Sequence, residues 1–416
     1  MELLHKRCAG LDVHKDTVVA CVRLTSRKRT RRKVETFSTT TEGLLALGDW
    51  LTEFEVTHVV MESTGVYWKP VWHVLSGVVE LTLANANEVK NLPGRKSDVN
   101  DAQWLADLLA HGLLKHSFVP EREIEELRQL TRTRKQLVGE CTRHIQRIDK
   151  TLQDANIKLR SVLSRVLSET GREILKAMIK GEDDPKVLAA LAKGTAKRKR
   201  PQLEKALRGF VNDHHRFLLR TELELVETLE KSIAKIEAKI DEVLLPFASK
   251  EAELLISMPG IGDMAARIII AEIGIDMSQF PSAGHLVSWA GLCPRSDESA
   301  GKKRSTRIRK GNAWLKTLLV QCAWAAIRTK GYLKSVYHRI RSRAGSMKAI
   351  IAVARKMLAA IYHMLSKKEE YKDLGEDFFE KRDRVRLLTK LTRRIERLGF
   401  GVELTPLAVA EPAPSG

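Results

Sequence analysis

The spacing of apolar residues changes near residue 120, and this change constrains the fold more than any other feature of the chain. Before it, short Val-rich runs alternate with helical patterns, whereas from about residue 121 to residue 246 the spacing is helical throughout. Alternating strands and helices pack as α/β layers, but a long unbroken helical pattern has no strand to add to a sheet. We therefore expect an α/β domain followed by a separate helical segment.

The elements of the α/β part follow from its short apolar runs and their boundaries. Residues 8–24 (CAGLDVHKDTVVACVRL) alternate around a turn-like break at His14–Asp16, which predicts a hairpin of two strands. Further strands are predicted over 34–40, 57–61 and 79–84, and helices over 42–54, 65–75 and 97–114, with Thr41 and Ser97 as candidate N-caps. Three strands followed by helix, strand, helix, strand and helix predict a mixed sheet.

The helical part contains two long segments, 124–152 and 219–243, whose apolar residues keep close to a three-four spacing. Such seams predict an antiparallel coiled-coil arm or a dimerisation element. Pro246 is expected to end the second helix, because proline lacks the N–H that a helix interior needs. The intervening stretch 153–213 holds turn residues and the basic run KRKR, and its pattern indicates no particular role.

Positive charge is concentrated in the second half of the chain. The protein has 72 Lys and Arg against 52 Asp and Glu, a formal charge of +20. Residues 301–368 contain 18 of these cations and no acid, and the cations are interleaved with apolar helical faces. Since a merely solvated face would carry interspersed acids, this stretch predicts a folded surface for the phosphates of DNA or RNA.

Composition and motif content exclude several classes of protein. The chain has no run of about 18 uncharged apolar residues, so we expect neither a membrane span nor a membrane partner. The first residues lack the apolar stretch of a secretory signal, and five scattered Cys without a CxxC pair fit neither a disulfide framework nor a zinc site. We expect a protein of the reducing cytoplasm, with a disordered Pro/Ala-rich tail over 406–416.

Four carboxylates occupy informative positions in the α/β part. Asp12 lies inside the first apolar strand, and Glu62 ends the strand VVME. Asp98 and Asp101, three residues apart, share one face at the start of a predicted helix. An Asp inside an apolar strand needs a reason, and a pair of Mg²⁺ ions about 3.5–4 Å apart, held by oxygen ligands for phosphodiester cleavage, supplies one. The order of these acids is ribonuclease-H-like.

Each acid also has an ordinary structural interpretation. Asp98 is acceptable as a first-turn residue facing the helix dipole, Asp101 as a surface acid, and Glu62 as a helix cap. Lys15 and Lys96 flank the acids and are either phosphate contacts or surface lysines. A sugar-kinase or actin-like phosphate strand is a weaker interpretation of GLDVHKD, because the chain lacks the Gly-rich phosphate loops of that fold. The four acids in the right element order favour the nuclease-like site.

The second half contains a tight turn between two apolar helical stretches, LLISMPGIGDMAARIIIAEIG over 254–274. This is the signature of a helix-hairpin-helix, in which Gly260 and Gly262 permit close approach and exposed amides bind a DNA phosphate. An ordinary packing joint between two helices is the alternative.

Ser299 precedes the densest basic run, in a loop ESAGK that we expect to be flexible. A serine beside cations can attack phosphorus while the cations stabilise the developing charge. Residue chemistry alone does not single it out, because Ser296 and Ser305 are local rivals and His285 is a base only if it is not structural. The cations predicted to bind nucleic acid are Lys302, Lys303, Arg304, Arg307, Arg309 and Lys310.

These motifs resemble one family over nearly the whole chain. GLDVHKD, MESTGVYW and KSDVNDAQWLADLL resemble the N-terminal DEDD domain of the insertion-sequence 110 transposases (the 110/116/902 group), and MPGIGDMAARIIIAEIG, FPSAGHLVSWAGLCPRSDESAGKKRSTRIRKGN and KAIIAVARKMLAAIYHML resemble their C-terminal domain. The resemblance implies a RuvC-like α/β domain over 1–118, a helical coiled-coil linker over 119–248 and a mainly α domain with a catalytic serine over 249–368. A helical tail that ends in disorder, 369–416, would follow.

The resemblance also implies a site and its partners. By motif, Asp12, Glu62, Asp98 and Asp101 would hold two Mg²⁺ ions, with Mn²⁺ as a substitute, and Ser299 would form a phosphoserine with DNA. The site would be shared between subunits of a dimer or tetramer, and many members pair a structured noncoding bridge RNA with donor and target DNA. The family often has Thr where this chain has Ser97, which is a mild departure.

The sequence therefore predicts a transposase or recombinase that excises and inserts its own mobile element in the bacterial cytoplasm, at the nucleoid. A RuvC-like structure-specific nuclease or Holliday-junction resolvase, which hydrolyses with water, is the alternative that shares the acids but does not need Ser299. A non-catalytic nucleic-acid-binding protein is a second alternative, and it would tolerate Asp12→Asn.

Overall fold

The computed structural model describes residues 3–404 apart from 27–28, 64, 87–88, 90–100, 115–116, 295–296, 300–301, 306 and 309. The chain divides into two compact units, Met1–Pro120 and Glu121–Gly416. The first unit is α/β, and the described part of the second is helical except for one short hairpin. The change in apolar spacing near residue 120 thus corresponds to a change of architecture, and the finer division at residues 248 and 368 stays a prediction.

The first unit is built on a five-stranded mixed sheet. Its elements are β1 (Arg7–Val13), β2 (Thr17–Ser26), β3 (Arg29–Ser38), α1 (Thr41–Glu53), β4 (His58–Glu62), α2 (Trp68–Leu75), β5 (Glu80–Ala84) and α3 (Asp101–Ala110). The strand order is β3-β2-β1-β4-β5. The β1, β2 and β3 strands pair antiparallel, while β4 runs parallel to β1 and β5 parallel to β4. The predicted mixed sheet is confirmed.

Local chemistry moves some predicted boundaries. Helix α1 is capped by Thr40, one residue before the predicted Thr41, and the Thr40 hydroxyl accepts a hydrogen bond from the Gly43 amide at 3.3 Å. Helix α2 begins at Trp68 because Gly65 lies in a turn with a φ of 56°. Ser97, the other predicted cap, lies outside the described residues.

The two faces of the sheet are covered by different helices. Helices α1 and α2 cover one face over a core that includes Leu11, Leu47, Met61, Val71 and Leu75. Helix α3 covers the other face, where Cys8, Val60, Leu105, Leu108 and Leu109 are buried together. Side chains alternate along each strand, so every second residue of β1 and β4 points towards α3.

An ion-pair cluster holds α3 on the antiparallel half of the sheet. The Arg23 Nε donates to Asp107 Oδ1 at 2.8 Å, and Arg32 donates to Asp107 Oδ2 at 2.9 Å. Only 7% of the Arg23 side chain is exposed, so its charge depends on this carboxylate for compensation. The cluster therefore ties α3 to β2 and β3.

The second unit starts with two long helices and a small helical insertion. The paired helices are α4 (Arg122–Asp154) and α9 (Asp213–Ile256), and between them lie α5 (Leu159–Val162), α6 (Glu169–Ile179), α7 (Pro185–Ala190), a 3₁₀ turn (Gly194–Lys199) and α8 (Arg200–Ala206). Side chains of the insertion share one core with the adjoining ends of the pair, including Ile148, Leu159, Ile174, Leu203 and Leu223. The 153–213 stretch is therefore a folded cap on the helix pair.

The helix that contains Pro246 ends at a kink two residues later, close to the predicted end. A second helical stretch follows it to Ile256, and Ala248 at the kink has a non-helical φ of −139°. The two stretches together are called α9. Proline removes one helix hydrogen bond and bends the axis. Burial of Leu244, Ala252 and Leu255 on both sides stabilises the helix across the bend.

The remaining elements pack around one apolar helix. They are α10 (Asp263–Ile273), a 3₁₀ turn (Met277–Gln279), α11 (Ala283–Trp289), β6 (Asp297–Ser299), β7 (Lys302–Ser305), α12 (Ala313–Ala326), α13 (Tyr332–Ala344), α14 (Ser346–Lys367), α15 (Phe378–Arg382) and α16 (Arg384–Glu396). Helix α14 contacts α11, α12 and α13. Within the described ranges it alone is long and apolar enough to cross a membrane, but half of its apolar window is buried in the protein, as in a core helix.

Candidate catalytic and nucleic-acid sites

Two predicted acids end neighbouring parallel strands. In the register of β1 and β4, Leu11 lies opposite Met61. The next residues along the two strands are Asp12 and Glu62, which therefore stand side by side at the carboxyl edge of the sheet. Strand pairing, which the sequence does not display directly, brings together two acids that are 50 residues apart.

The same two acids point to the face that α3 covers. Gly10 packs directly against α3, because a Cβ on it would lie 2.2 Å from the Ala102 carbonyl oxygen. Val60 packs in the core beneath α3. Asp12 and Glu62 each follow these positions by two residues, so strand alternation puts them on the α3 face.

Helix α3 runs antiparallel to β1, which brings its first residue towards the acids. The Leu4 amide donates to the Ala110 carbonyl, and the Cys8 thiol contacts the Ala106 carbonyl at 3.5 Å. Gly10 approaches Ala102. Continuing this register places Asp101, the first described residue of α3, near the end of β1 that holds Asp12.

The exposure of Asp12 and the type of its side chain suit this edge to binding a metal ion through oxygen. Asp12 is 28% exposed and its Oδ2 lies 3.2 Å from His14 Nε2. Carboxylate oxygens are the ligands that Mg²⁺ prefers, so this donor set fits a hard divalent cation. In the part of the chain that the structure describes, no cluster of three or more His, Cys, Asp or Glu is close enough to hold a metal. Asp98 lies outside the described residues, as does Lys96, so the complete tetrad stays a prediction.

Ser299 lies on a hairpin and not in a flexible loop. Strands β6 and β7 pair antiparallel with Ser299 opposite Lys302, and an isolated bridge between Pro294 and Ile308 extends the pairing. We call residues 294–308 the serine ribbon. Ser299 is the last residue of β6, and the predicted phosphate contacts Lys302, Lys303 and Arg304 begin β7.

The other predicted residues of this region have mixed outcomes. Arg307 and Lys310 are exposed, whereas Arg309 and the rival Ser296 lie outside the described residues. His285 Nδ1 lies 2.8 Å from the Ser282 hydroxyl at the start of α11, which fits the structural interpretation of this histidine.

Gly260 has a packing role, as the packing-joint interpretation of this turn predicted. Its φ is 89°, and a Cβ on it would lie 2.3 Å from the Cys322 carbonyl oxygen of α12. Gly262 is exposed and caps α10, with open space around its missing Cβ. The turn therefore joins α9 and α10 closely against α12, and its predicted phosphate contact stays a prediction.

A buried carboxylate network lies at the foot of the serine ribbon. Glu272 in α10 is fully buried, and Arg132 of α4 donates to both of its carboxylate oxygens at 2.9 and 2.8 Å. Asn312 donates its side-chain N–H to Glu272 at 2.5 Å. Arg128 donates at 2.9 Å to the backbone carbonyls of Ala271 and Glu272. Sequence reasoning missed this group, although an acid inside the apolar run IIIAEIG was a signal.

Exposed cations cover the helices after the ribbon. They include Arg328, Lys330, Arg341, Arg343, Lys348, Arg355, Lys356, Lys367 and Lys368. They lie on α13, on the exposed side of α14 and in the adjoining turns, while the apolar residues of α14 form the core. The described structure thus presents a folded basic surface, as the acid-free stretch predicted.

Comparison with known proteins gives two matching family profiles. A profile described as "Transposase" matches residues 9–157. A profile described as "Transposase IS116/IS110/IS902 family" matches residues 252–338. The cap on the helix pair falls almost wholly between the two matched ranges.

Several curated proteins are similar to this chain. A 42-kDa protein of insertion element IS900 from Mycobacterium paratuberculosis is 26% identical over 325 residues, which is 69% of this chain and 79% of that protein. A 43.6-kDa protein of insertion element IS110 from Streptomyces coelicolor is 31% identical, over 31% of this chain and 32% of its own length. A pilin gene-inverting protein from Moraxella bovis is 31% identical over 32% of this chain and 43% of its own length. The chain thus covers less than half of the last two proteins.

Proposed function

Because this chain belongs to the IS110/IS116/IS902 family of transposases, we propose that it cuts and rejoins DNA strands to move an insertion sequence. The observation that carries the proposal is the placement of Asp12 and Glu62 at adjacent strand ends, on the face covered by the helix that contains Asp101. Such a carboxylate edge suits phosphodiester chemistry, and the strand order supports a RuvC/ribonuclease-H-like fold for the first unit.

Asp12, Glu62, Asp98 and Asp101 would hold two Mg²⁺ ions, with Mn²⁺ as a substitute. When bound, such ions polarise a phosphate and stabilise the oxygens that attack and leave. Because carboxylates and phosphates repel each other, the acids would hold the scissile phosphate at the sheet edge only with such ions between them. They also set the metal preference, because carboxylates favour hard cations.

Ser299 is the proposed nucleophile. Its Oγ loses its proton and forms a bond to phosphorus as the bond from phosphorus to one DNA oxygen breaks, and the departing oxygen takes up a proton, so that no net proton is gained or lost. The product is a phosphoserine diester, and attack by the hydroxyl of an incoming strand reverses the step and frees the serine. Since one phosphodiester is exchanged for another, joining needs no ATP. Cations of the serine ribbon stabilise the developing negative charge.

Donor and target DNA, together with a structured noncoding guide RNA, are the proposed partners. The basic surface that follows the ribbon supports binding of phosphate backbones, and backbone contacts alone carry no sequence information. Base pairing with the guide RNA would then select the DNA. The helix-hairpin-helix turn at Gly260 and Gly262 is a further proposed backbone contact.

The paired helices α4 and α9 support a coiled-coil role in assembly as a dimer or tetramer. Apolar side chains such as Val138 and Leu225 are exposed on this pair, which suits contact with a second copy. In such an assembly the acids of one copy and Ser299 of another would complete one site. The protein would act in the bacterial cytoplasm, where the nucleoid is its substrate.

One experiment tests the chemistry. The full-length protein is incubated with Mg²⁺, guide RNA and labelled donor and target DNA, and covalent protein–DNA adducts are separated under denaturing conditions. We expect an adduct from the wild type, none from Ser299→Ala, and no cleavage from Asp12→Asn. Strand exchange that survives Ser299→Ala would reject the serine mechanism. Cleavage with water as the nucleophile would indicate the resolvase-like alternative, and full function of Asp12→Asn would indicate a non-catalytic binder.

A further inference from the structure

The network around Glu272 connects three segments that are distant in sequence. Glu272 belongs to α10, its partner Arg132 lies 140 residues earlier in α4, and its partner Asn312 lies 40 residues later at the start of α12. A carboxylate with no exposed surface is stabilised only by partners that neutralise it and satisfy its oxygens. Removing either partner therefore affects the positions of all three segments.

Asn312 uses both ends of its side-chain amide. Its Oδ1 accepts from the Trp314 and Leu315 amides at 3.0 Å, which caps α12, and its Nδ2 donates to Glu272. The network fixes the orientation of the amide, because only the nitrogen can donate to a carboxylate. Asn312 is therefore both a helix cap and a link to α10.

The same residue lies four positions after Ile308, the last residue of the serine ribbon. Ile308 pairs with Pro294 at the foot of the ribbon. Three residues later, Gly311 packs closely against Gly291: a Cβ on Gly311 would lie 2.4 Å from the Gly291 amide nitrogen. We call the contacts Pro294–Ile308 and Gly291–Gly311 the base of the ribbon. Asn312 holds the chain where it leaves this base.

Helix α4 reaches this base by a second route. The Trp314 ring lies 5.4 Å from the Arg132 guanidinium carbon and 4.8 Å from Lys135 Nζ, within the range of cation–π attraction. Both cations belong to α4. Helix α4 therefore contacts the first turn of α12 as well as the carboxylate of Glu272.

We infer that Glu272 is a positioning residue: through Asn312 it fixes the base of the serine ribbon to the long helix α4. This inference rests on the proposed role of Ser299 and adds how that serine is held. A movement of α4 would be transmitted to the ribbon through the Arg132–Glu272–Asn312 contacts. The position of Ser299 relative to a bound phosphate would then depend on the position of α4.

Asn312→Ser in the full-length protein tests this inference cleanly. Serine is an equally good N-cap, so α12 keeps its cap while the donor to Glu272 is lost. We expect the rate of adduct formation to fall by about 10- to 100-fold, since a small misplacement of a reacting group has effects of this size. Affinity for the same DNA should not change. Amides of residues 302–308 should exchange hydrogen faster in the absence of DNA.

Two further variants separate positioning from general stability. Glu237→Gln breaks the Arg134–Glu237 pair, whose N–O distance is 2.6 Å, elsewhere on the same helix pair, and it should leave both readouts unchanged. The double variant Glu272→Gln with Asn312→Asp reverses the hydrogen bond and keeps the net charge beside Arg132. It should restore adduct formation towards the wild-type rate, whereas each of its single changes lowers it.

The two hypotheses fail in different ways. If the wild type forms an adduct and Asn312→Ser forms it at the same rate, the inference about Glu272 is overturned while the serine mechanism stands. If the wild type forms no adduct, the serine mechanism falls, and hydrogen exchange in the ribbon still decides the inference. Exchange that is the same in Asn312→Ser and the wild type would overturn it.

Discussion

Gly10→Ala should reduce cleavage at the carboxylate edge, although it replaces none of the acids. The added Cβ would lie 2.2 Å from the Ala102 carbonyl oxygen and 2.5 Å from the Ala106 amide nitrogen. Real Cβ contacts are essentially never below 3.0 Å, and both neighbours are backbone atoms of α3 that cannot rotate away. Helix α3 must therefore move away from the sheet by about 1 Å to restore ordinary contact.

Two magnitudes follow from that displacement. Overpacking of a tight core typically costs about 1–3 kcal/mol, which would lower the free energy of unfolding of the first unit by that amount. Because Asp101 belongs to α3, the same shift moves this acid relative to Asp12. A misplacement of about 1 Å reduces catalytic rates by about 10²-fold, so cleavage should fall more than stability alone explains.

The assay pairs urea unfolding with the rate of Mg²⁺-dependent strand cleavage. Gly48→Ala is the matched control, because Gly48 is buried inside α1 and its added Cβ would meet Leu75 Cδ2 at an ordinary 3.6 Å. Alanine inside a helix should raise stability by about 0.5–1 kcal/mol and leave cleavage unchanged. Wild-type stability and cleavage in Gly10→Ala would refute the close-packing argument, as would an equal loss in both variants.

Other predictions concern charge and thiols. Replacing Arg328 and Lys330 by Ala should reduce the slope of log binding constant against log salt by about 2 for duplex DNA, whereas an unchanged slope would remove both from the binding surface. Cys293, the one partly exposed thiol of the five cysteines, should react first with iodoacetamide at pH 8, as followed by mass spectrometry, and early labelling elsewhere would contradict the described burial. Burial raises the pKa of Cys8 from 9.0 to about 12 and that of Cys21 to about 11. The folded unit therefore keeps protons that the unfolded chain loses, so urea midpoints should fall as the pH rises above 9, and constant midpoints from pH 8 to 10 would count against it.

The sequence predicted the sheet because its signals there are local. Short apolar runs mark β1, β2, β4 and β5, and an Asp inside such a run draws attention to Asp12. The edge strand β3 was predicted only in part, from residue 34, because its first half is the basic run RTRRK with no buried side chain. Strands that bury little carry little apolar pattern.

What the sequence could not predict depends on contacts between distant segments. The serine ribbon is built from polar residues, so it resembles a loop until its pairing is seen. Glu272 finds its partners at separations of 140 and 40 residues, and no spacing rule connects them. Pro246 marks the break near Ala248, but the second helical stretch to Ile256 depends on tertiary burial of Ala252 and Leu255, which the proline rule does not address.

The cap on the helix pair has a consequence for how this chain can vary in length. Its chain leaves α4 at Asp154 and enters α9 at Asp213, and the side chain of Asp154 lies 3.1 Å from His215. Because entry and exit are adjacent, a short linker could replace everything between them while α4 and α9 stay paired. Removing the cap would also expose the residues of both helices that share its core, among them Ile148 and Leu223, so a shortened chain would need polar residues at those positions.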